Sequence, residues 1–379
     1  MIFTKLNLTL LAGQSIPTPL PATFSNAVQS IEVTHTDEGR SGFQITFQAG
    51  REGLTGGLDY SLVASASLKP FCRVVVMLTL NAMPRVLFDG IITHQQLDPG
   101  TVPGGGLFTV TGEDVSVMMD LEEKVVEHPA QNEMMIATKI ILSYAQYGLV
   151  PDVIPPKSLE IPLPVLRVPV QHATDREYLE IMARRFGYVF YVKPGPVPSV
   201  NIAHWGPKRP IGAAQRALSV NMGPLDNLES LKFEHDPLSM AFVRAHHQDS
   251  ITNVSTPVQT FVPSQPPRSS MPTWLFHGGD LRRKRSMFPG ASTAQAFARA
   301  QGETDASADV VSANGELDAL IYGDILNAHE WVGVRGAGYA YDGNYYVKSV
   351  THSIKPGAYK QRFTLTRDGV GSLFPAVRP

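Results

Sequence analysis

YDGNYYVKSVTHSIKPGAYKQRFTLTRD, residues Tyr341–Asp368, reads as two extended runs folded about Pro356-Gly357. In the second run Tyr359, Gln361, Phe363 and Leu365 fall on one face. Lys360, Arg362, Thr364 and Thr366 fall on the other. A period of two is the mark of a strand with one buried face. The stretch is therefore a long β-hairpin near the C-terminus.

The same order of residues occurs far upstream, at Phe88–Asp114. Phe88-Asp89-Gly90 leads an apolar run into Thr93-His94, a Gly/Pro-rich turn, and Phe108-Thr109-Val110-Thr111. The later copy has Tyr341-Asp342-Gly343, Val350-Thr351-His352, a turn, and Phe363-Thr364-Leu365-Thr366. Acidic residues follow both, at Glu113-Asp114 and Asp368. Unequal turn lengths make these two related hairpins rather than a short tandem repeat. They imply two similar β-domains flanking other structure. On this reading His94 and His352 hold equivalent, architectural places.

A chain of 379 residues has room for roughly two to four domains. Hydrophobic residues make up 43% and charged residues 17%, the profile of a folded chain. Net charge is −2 and the pI near 6.6, so no global basic excess exists to hold a polyanion. The single cysteine, Cys72, excludes internal disulfides and sits in an apolar strand, Phe71–Leu80, as a buried thiol. No run of 18 apolar residues exists to span a membrane.

Residues 1–112 read as the first β-domain, with strands at Leu6–Leu11, Phe43–Gln48 and Phe71–Leu80 before the Phe88 hairpin. Residues 113–217 read as an inserted helical and α+β region. A short helix is expected at Val115–Glu122, and a longer one at Glu133–Tyr147, capped by Asn132 and stopped at Gly148. Pro151, Pro155, Pro156, Pro162, Pro164 and Pro169 mark an extended connector. Thr174–Glu177 is a capping box opening a helix with a Tyr178, Ile181, Met182, Phe186 stripe, ended by Gly187 and followed by a strand at Tyr188–Val192. Residues 218–379 read as the second β-domain, with a long loop over 256–290. Strands are expected there at Ser230–His235, Phe242–His247, Asp309–Leu317 and Tyr322–Leu326. A helix at Ser292–Gly302 is expected to turn Phe297 inward.

No catalytic set can be assembled. The histidines lack metal spacing, and adjacent His246-His247 point to opposite sides of a strand. Gly104-Gly105-Gly106 lacks the lysine and hydroxyl of a phosphate loop and reads as a hairpin turn. Glu122-Glu123 do not converge on one substrate. Arg282-Arg283-Lys284-Arg285 is the strongest local charge run. Without interleaved aromatics it reads as a solvated or protein-facing segment. No cofactor and no enzymatic activity are expected.

Three stretches carry a family resemblance: TDREYLEIMARRFGYVFYV at Thr174–Val192, AFARAQGETDASADVVSANGE at Ala296–Glu316, and VRGAG, YDGNYYVKSVTH and YKQRFTLTRDG within Gly333–Asp368 and its flanks. They resemble the phage late-control protein D type of baseplate hub, also seen as the hub portion of VgrG spikes, in contractile phage-tail-like injection systems. The resemblance implies a β-rich α+β fold with two tail-tube-like β-barrel domains and smaller inserted domains. It implies a homotrimer whose six barrels adapt a hexameric inner tube to a spike, with baseplate wedge proteins as further partners, inside a tail-like particle. VgrG proteins continue into a needle, whereas this sequence has no glycine-periodic repeat before Pro379, so the spike is expected to be a separate protein. Lys360, Arg362 and Thr364, with Arg282, Arg283, Lys284 and Arg285, are then candidates for a lumen or subunit interface. Two other classes compete: a carbohydrate-binding or carbohydrate-cleaving β-protein, which Trp205, Trp274 and Trp331 in separate segments do not favour, and a DNA-contacting tail component using Arg282–Arg285.

Overall fold

The computed structural model describes residues 6–373, apart from residues 15, 51–59, 81–82, 102–104, 166, 209–211, 249–252 and 289–290. The chain begins with β1 (Leu6–Gly13), β2 (Val28–Thr36), β3 (Gly42–Ala49), β4 (Arg73–Leu80), β5 (Met83–Asp98) and β6 (Gly106–Asp114). In space they run β1-β4-β5-β6-β3-β2, each pair antiparallel. Alternation dictates the faces. Phe43, Ile45 and Phe47 of β3 and Phe108 and Val110 of β6 are buried, while Thr46 and Thr109 share the opposite face, their hydroxyls 3.4 Å apart.

An α+β unit follows: β7 (Glu123–Glu127), α1 (Glu133–Leu142), β8 (Leu149–Val153), β9 (Val170–Thr174), α2 (Asp175–Arg184), β10 (Val189–Pro194) and β11 (Asn201–Gly206). Its two sheets are β7-β9 and β10-β11-β8. Asn132 caps α1 by accepting from Met135 N–H at 2.9 Å, and Thr174 caps α2 by accepting from Glu177 N–H at 3.2 Å. Ile136, Leu179, Met182, Phe186 and Trp205 form a core separate from that of the large sheet.

The last part contains β12 (Gln215–Ser219), β13 (Ser230–His235), β14 (Ala241–Gln248), β15 (Ser255–Gln259), β16 (Arg282–Met287), α3 (Thr293–Ala306), β17 (Val311–Asp318), β18 (Trp331–Arg335), β19 (Gly343–Lys355) and β20 (Ala358–Arg367). Strands β15-β14-β16 form a small sheet packed on α3. The others run β12-β18-β19-β20-β17-β13. That order repeats β1-β4-β5-β6-β3-β2 strand for strand. Only the outermost pair differs in direction, parallel for β12-β18 and antiparallel for β1-β4.

The two halves are one sheet. β19 is long because it serves two neighbours on the same edge. Its first residues pair with β18, from Gly343↔Val334 to Tyr346↔Trp331. After an irregularity between Val347 and Ser349, it pairs with β2, from Ser349↔Thr36 to Ile354↔Ile31. A single core runs under both halves, including Ile31, Phe47, Val110, Val350, Phe363 and Leu365. Among the described residues no pairing closes either half on itself.

Several expectations need correction. Residues 256–290 are not a loop: they contain most of β15 and all of β16, because Arg282–Met287 finds a strand partner in β14 that its charge concealed. The connector after Gly148 is not free of strand, since Pro151 lies in β8 as an outer strand paired to β11 alone. β12 straddles the boundary set at 217/218. Tyr322–Leu326 is no strand; a helical turn at Ala319–Tyr322 ends at left-handed Gly323. Phe297 faces outward, 48% exposed, because the small residues Ala296 and Ala300 line the packed side of α3. The expected helices at Val115–Glu122 and Glu133–Tyr147 shorten to a 3-10 turn over Val115–Met119 and an α-helix ending at Leu142. His94 and His352 are not equivalent. His94 pairs with Thr111 on the polar face, whereas His352 pairs with Gln361 and is buried. Of the glycine run, Gly104 lies outside the described residues and Gly106 opens β6.

Candidate functional site

The sheet has a polar face, and hairpin β19-β20 is its centre. Lys360, Arg362 and Thr364 all lie there, as alternation requires. Lys360 Nζ reaches Glu229 at 2.6 Å and Glu316 at 3.4 Å, and Arg362 Nε donates to Glu316 at 3.2 Å. Burial pushes the Glu316 carboxyl up, but the hydrogen bonds and charges of Arg362 and Lys360 overcome it and leave the group below its ordinary value. Thr364 donates to Asn314 at 2.8 Å, and the Thr34 and Thr351 hydroxyls meet at 3.0 Å across the joint between halves. A groove of about 540 Å³ lies along this joint, lined by Ser30, Glu32, Gln44, Ser353, Lys355 and Arg362 among others. Hydroxyls, amides and charges of both signs make a polar wall that holds no concentrated field of one sign.

The edges are the second feature. In the joint, β2 is covered by β19 and Ile31 is fully buried. β13 holds the equivalent place in the second half, where Phe233, opposite Ala313, corresponds to Ile31, opposite Ile45. Phe233 is only half-buried, and among the described residues β13 has no neighbour beyond β17. Conversely, the far half of β5 corresponds to the part of β19 that receives β2. There Gln96, Leu97 and Asp98 are exposed. Each half thus presents the complement of what the other has used.

Arg282–Arg285 are not brought to this face. They form the outer strand of the small sheet. Sequence reasoning also missed a cavity of about 260 Å³ at the seam between the halves and the α+β unit, lined by His35, His329 and His352 with Arg85, Lys193 and Glu330. His35 Nε2 bonds Leu87 O at 2.9 Å, His352 Nδ1 bonds the Tyr359 hydroxyl at 2.9 Å, and the His329 ring stacks 3.7 Å from that of Tyr191. Burial lowers the His35 pKa to about 4 despite its bond to Leu87, and holds His329 and His352 well below the ordinary value. No signal separates these histidines from surface ones in sequence. Among the described residues no cluster suits a metal ion, and no helix is long and apolar enough to cross a membrane. Trp205 is fully buried and Trp331 packs against Tyr346 and Arg268, so neither offers a sugar-stacking surface.

No protein-family model and no curated protein matches the sequence. Solved structures do match its backbone. A tail protein from Neisseria meningitidis superposes with a TM-score of 0.62 over 97% of this chain and 98% of that one, at 11% identity. The 43 kDa tail protein of prophage MuSo2 from Shewanella oneidensis gives 0.61 over 95% and 98%, at 12% identity. A chain of a PdpA–VgrG complex gives 0.58 over 99% and 67%, at 8% identity. The chain has the phage-tail and VgrG-type fold. At such identities the likeness is one of backbone.

Proposed function

We propose that this protein is the central hub of a contractile, phage-tail-like baseplate, a homotrimer that adapts a hexameric inner tube to a separate spike. The observation that carries the reading is the joint of β2 on β19, left unmatched at the other end of the sheet. Each half is one barrel-like unit of a ring. Inside a chain, the first half docks its β2 edge on the second. Between chains, the β13 edge docks on the far half of β5 in the next copy. Repeating a head-to-tail contact closes a ring when the rotation permits, and three chains supply six units.

On this reading the polar face lines the lumen. Paired charges and hydroxyls let a polar cargo pass without trapping it. The role is structural rather than catalytic, exercised within a tail-like particle, with tube, spike and baseplate wedge proteins as partners.

Light scattering on the purified chain, alone and with candidate tube and spike proteins, tests this. A mass near three times 41.3 kDa that increases with the spike supports it. A monomer under every condition overturns it.

A further inference from the structure

The strand β16 has one partner, β14, in parallel register from Ala241↔Arg282 to His246↔Met287. Its other edge is unpaired among the described residues. The two faces of this small sheet differ. Val243 and Ala245 pack beneath α3, and Lys284 and Ser286 on the same side both reach Glu303 of that helix, at 2.9 and 2.8 Å. The opposite side carries Arg244, Arg283 and Arg285, all exposed, with Met287 81% exposed beside them.

Arg244 and Arg285 are direct cross-strand neighbours. Like charges so placed repel and destabilise a sheet. Among the described residues no carboxylate forms a salt bridge with Arg244, Arg283 or Arg285. Lysine or arginine on an outer strand ordinarily discourages edge-to-edge aggregation. That explains residues on β16 but not Arg244, which lies on the central strand and guards no edge. A three-arginine face maintained against its own repulsion is a surface waiting for negative charge.

We propose that this edge receives an extended acidic segment of another protein, which adds to β16 as a further strand. Two features select a peptide over other anions. An open edge offers a row of backbone donors and acceptors that only another backbone matches, and alternate side chains of an added strand fall on one face. Guanidinium groups there meet carboxylates in two-pronged hydrogen bonds. The arginine run itself holds no aromatic residue, and the chain as a whole carries −2, against a nucleic-acid partner. The inference stands independently of the hub reading.

The test uses the full chain and a fluorescent peptide of about ten residues alternating Glu and Val. A second peptide keeps the glutamates but has prolines at alternate positions, which forbids strand pairing. Expected is saturable binding of the first peptide, weakened roughly ten-fold or more both by the proline peptide and by Arg283→Glu/Arg285→Glu. Arg244→Gln, which leaves the edge strand untouched, weakens it by a smaller factor. Equal binding of both peptides, or tighter binding of duplex DNA or phosphatidylglycerol vesicles than of the Glu-Val peptide, overturns the proposal. So does loss of self-association in the double variant with circular dichroism unchanged, which assigns the surface to a second copy of this chain.

Discussion

Arg73 and Asp89 meet diagonally across the neighbouring strands β4 and β5, with Nε to Oδ1 at 2.6 Å and Nη2 to Oδ2 at 2.9 Å, both side chains buried. Their remaining capacity points into the α+β unit: Arg73 Nη1 donates to Tyr147 O at 3.0 Å, and Asp89 Oδ2 accepts from Ser199 N–H at 2.9 Å. This pair clamps the inserted unit to the first half of the sheet. Replacing Asp89 with Asn leaves Arg73 as a buried charge without its counter-ion. The expected loss is about 3–5 kcal/mol in urea denaturation, with faster proteolysis in the inserted unit than in the large sheet.

Acid should weaken the seam. His35, His329 and His352 are held neutral by burial, so each has a folded pKa below its unfolded value of 6.5. The unfolded chain then binds protons that the folded chain refuses. Stability is fully present above about pH 6.5 and is lost as pH falls toward 4. His35 alone, lowered to about 4, accounts for on the order of 3 kcal/mol over that window. Denaturant midpoints between pH 8 and pH 4.5 check the slope, and His35→Gln should flatten it.

Gly302 inverts an ordinary rule. Glycine inside a helix is usually improved by alanine, by about 1 kcal/mol. Here a Cβ would stand 2.3 Å from the carbonyl carbon of Phe186 and 2.6 Å from Gly187 N, where α3 touches the end of the α2 region. Gly302→Ala should therefore lower stability by about 1–3 kcal/mol, read as a drop in Tm.

Gln361 and Arg362 are chain neighbours on opposite faces. The Gln361 amide bonds Leu326 twice, donating to its carbonyl at 2.9 Å and accepting from its N–H at 3.1 Å, in a fully buried setting. Gln361→Ala strands two backbone groups and should cost about 2–5 kcal/mol. Arg362→Ala removes an exposed ion pair and should move the Tm by no more than about 2 °C. Equal effects would mean the faces are wrongly assigned.

Much of this was legible beforehand, for local reasons. The alternation in Tyr359–Thr366 names the buried face residue by residue, Asn132 and Thr174 cap the helices they precede, and Gly187 follows α2 in the left-handed region, whereas Gly148 closes only the short 3-10 turn that comes after α1. The aromatic-Asp-Gly motifs do mark equivalent strands, for Gly90 lies opposite Val74 as Gly343 lies opposite Val334. What stayed hidden is decided by distant partners. Four cations in a row conceal a strand until β14 is beside them. The Thr-His match failed because His94 stands four residues after Gly90 and His352 nine after Gly343, an even spacing against an odd one, with one irregularity before each histidine. The burial of three histidines depends on packing among three separate parts of the chain.

The placement of β19 has a consequence for biosynthesis. β2 emerges among the first 36 residues, yet its partner spans Ser349–Ile354, and the Thr34–Thr351 contact closes across 317 residues. A nascent chain therefore carries an uncovered strand edge until translation is nearly finished. Long-range pairings of this kind form slowly, and open edges invite wrong partners meanwhile. The same late event buries the edge and unites the halves. A truncated product is left with its sticky edge exposed and its two halves unjoined.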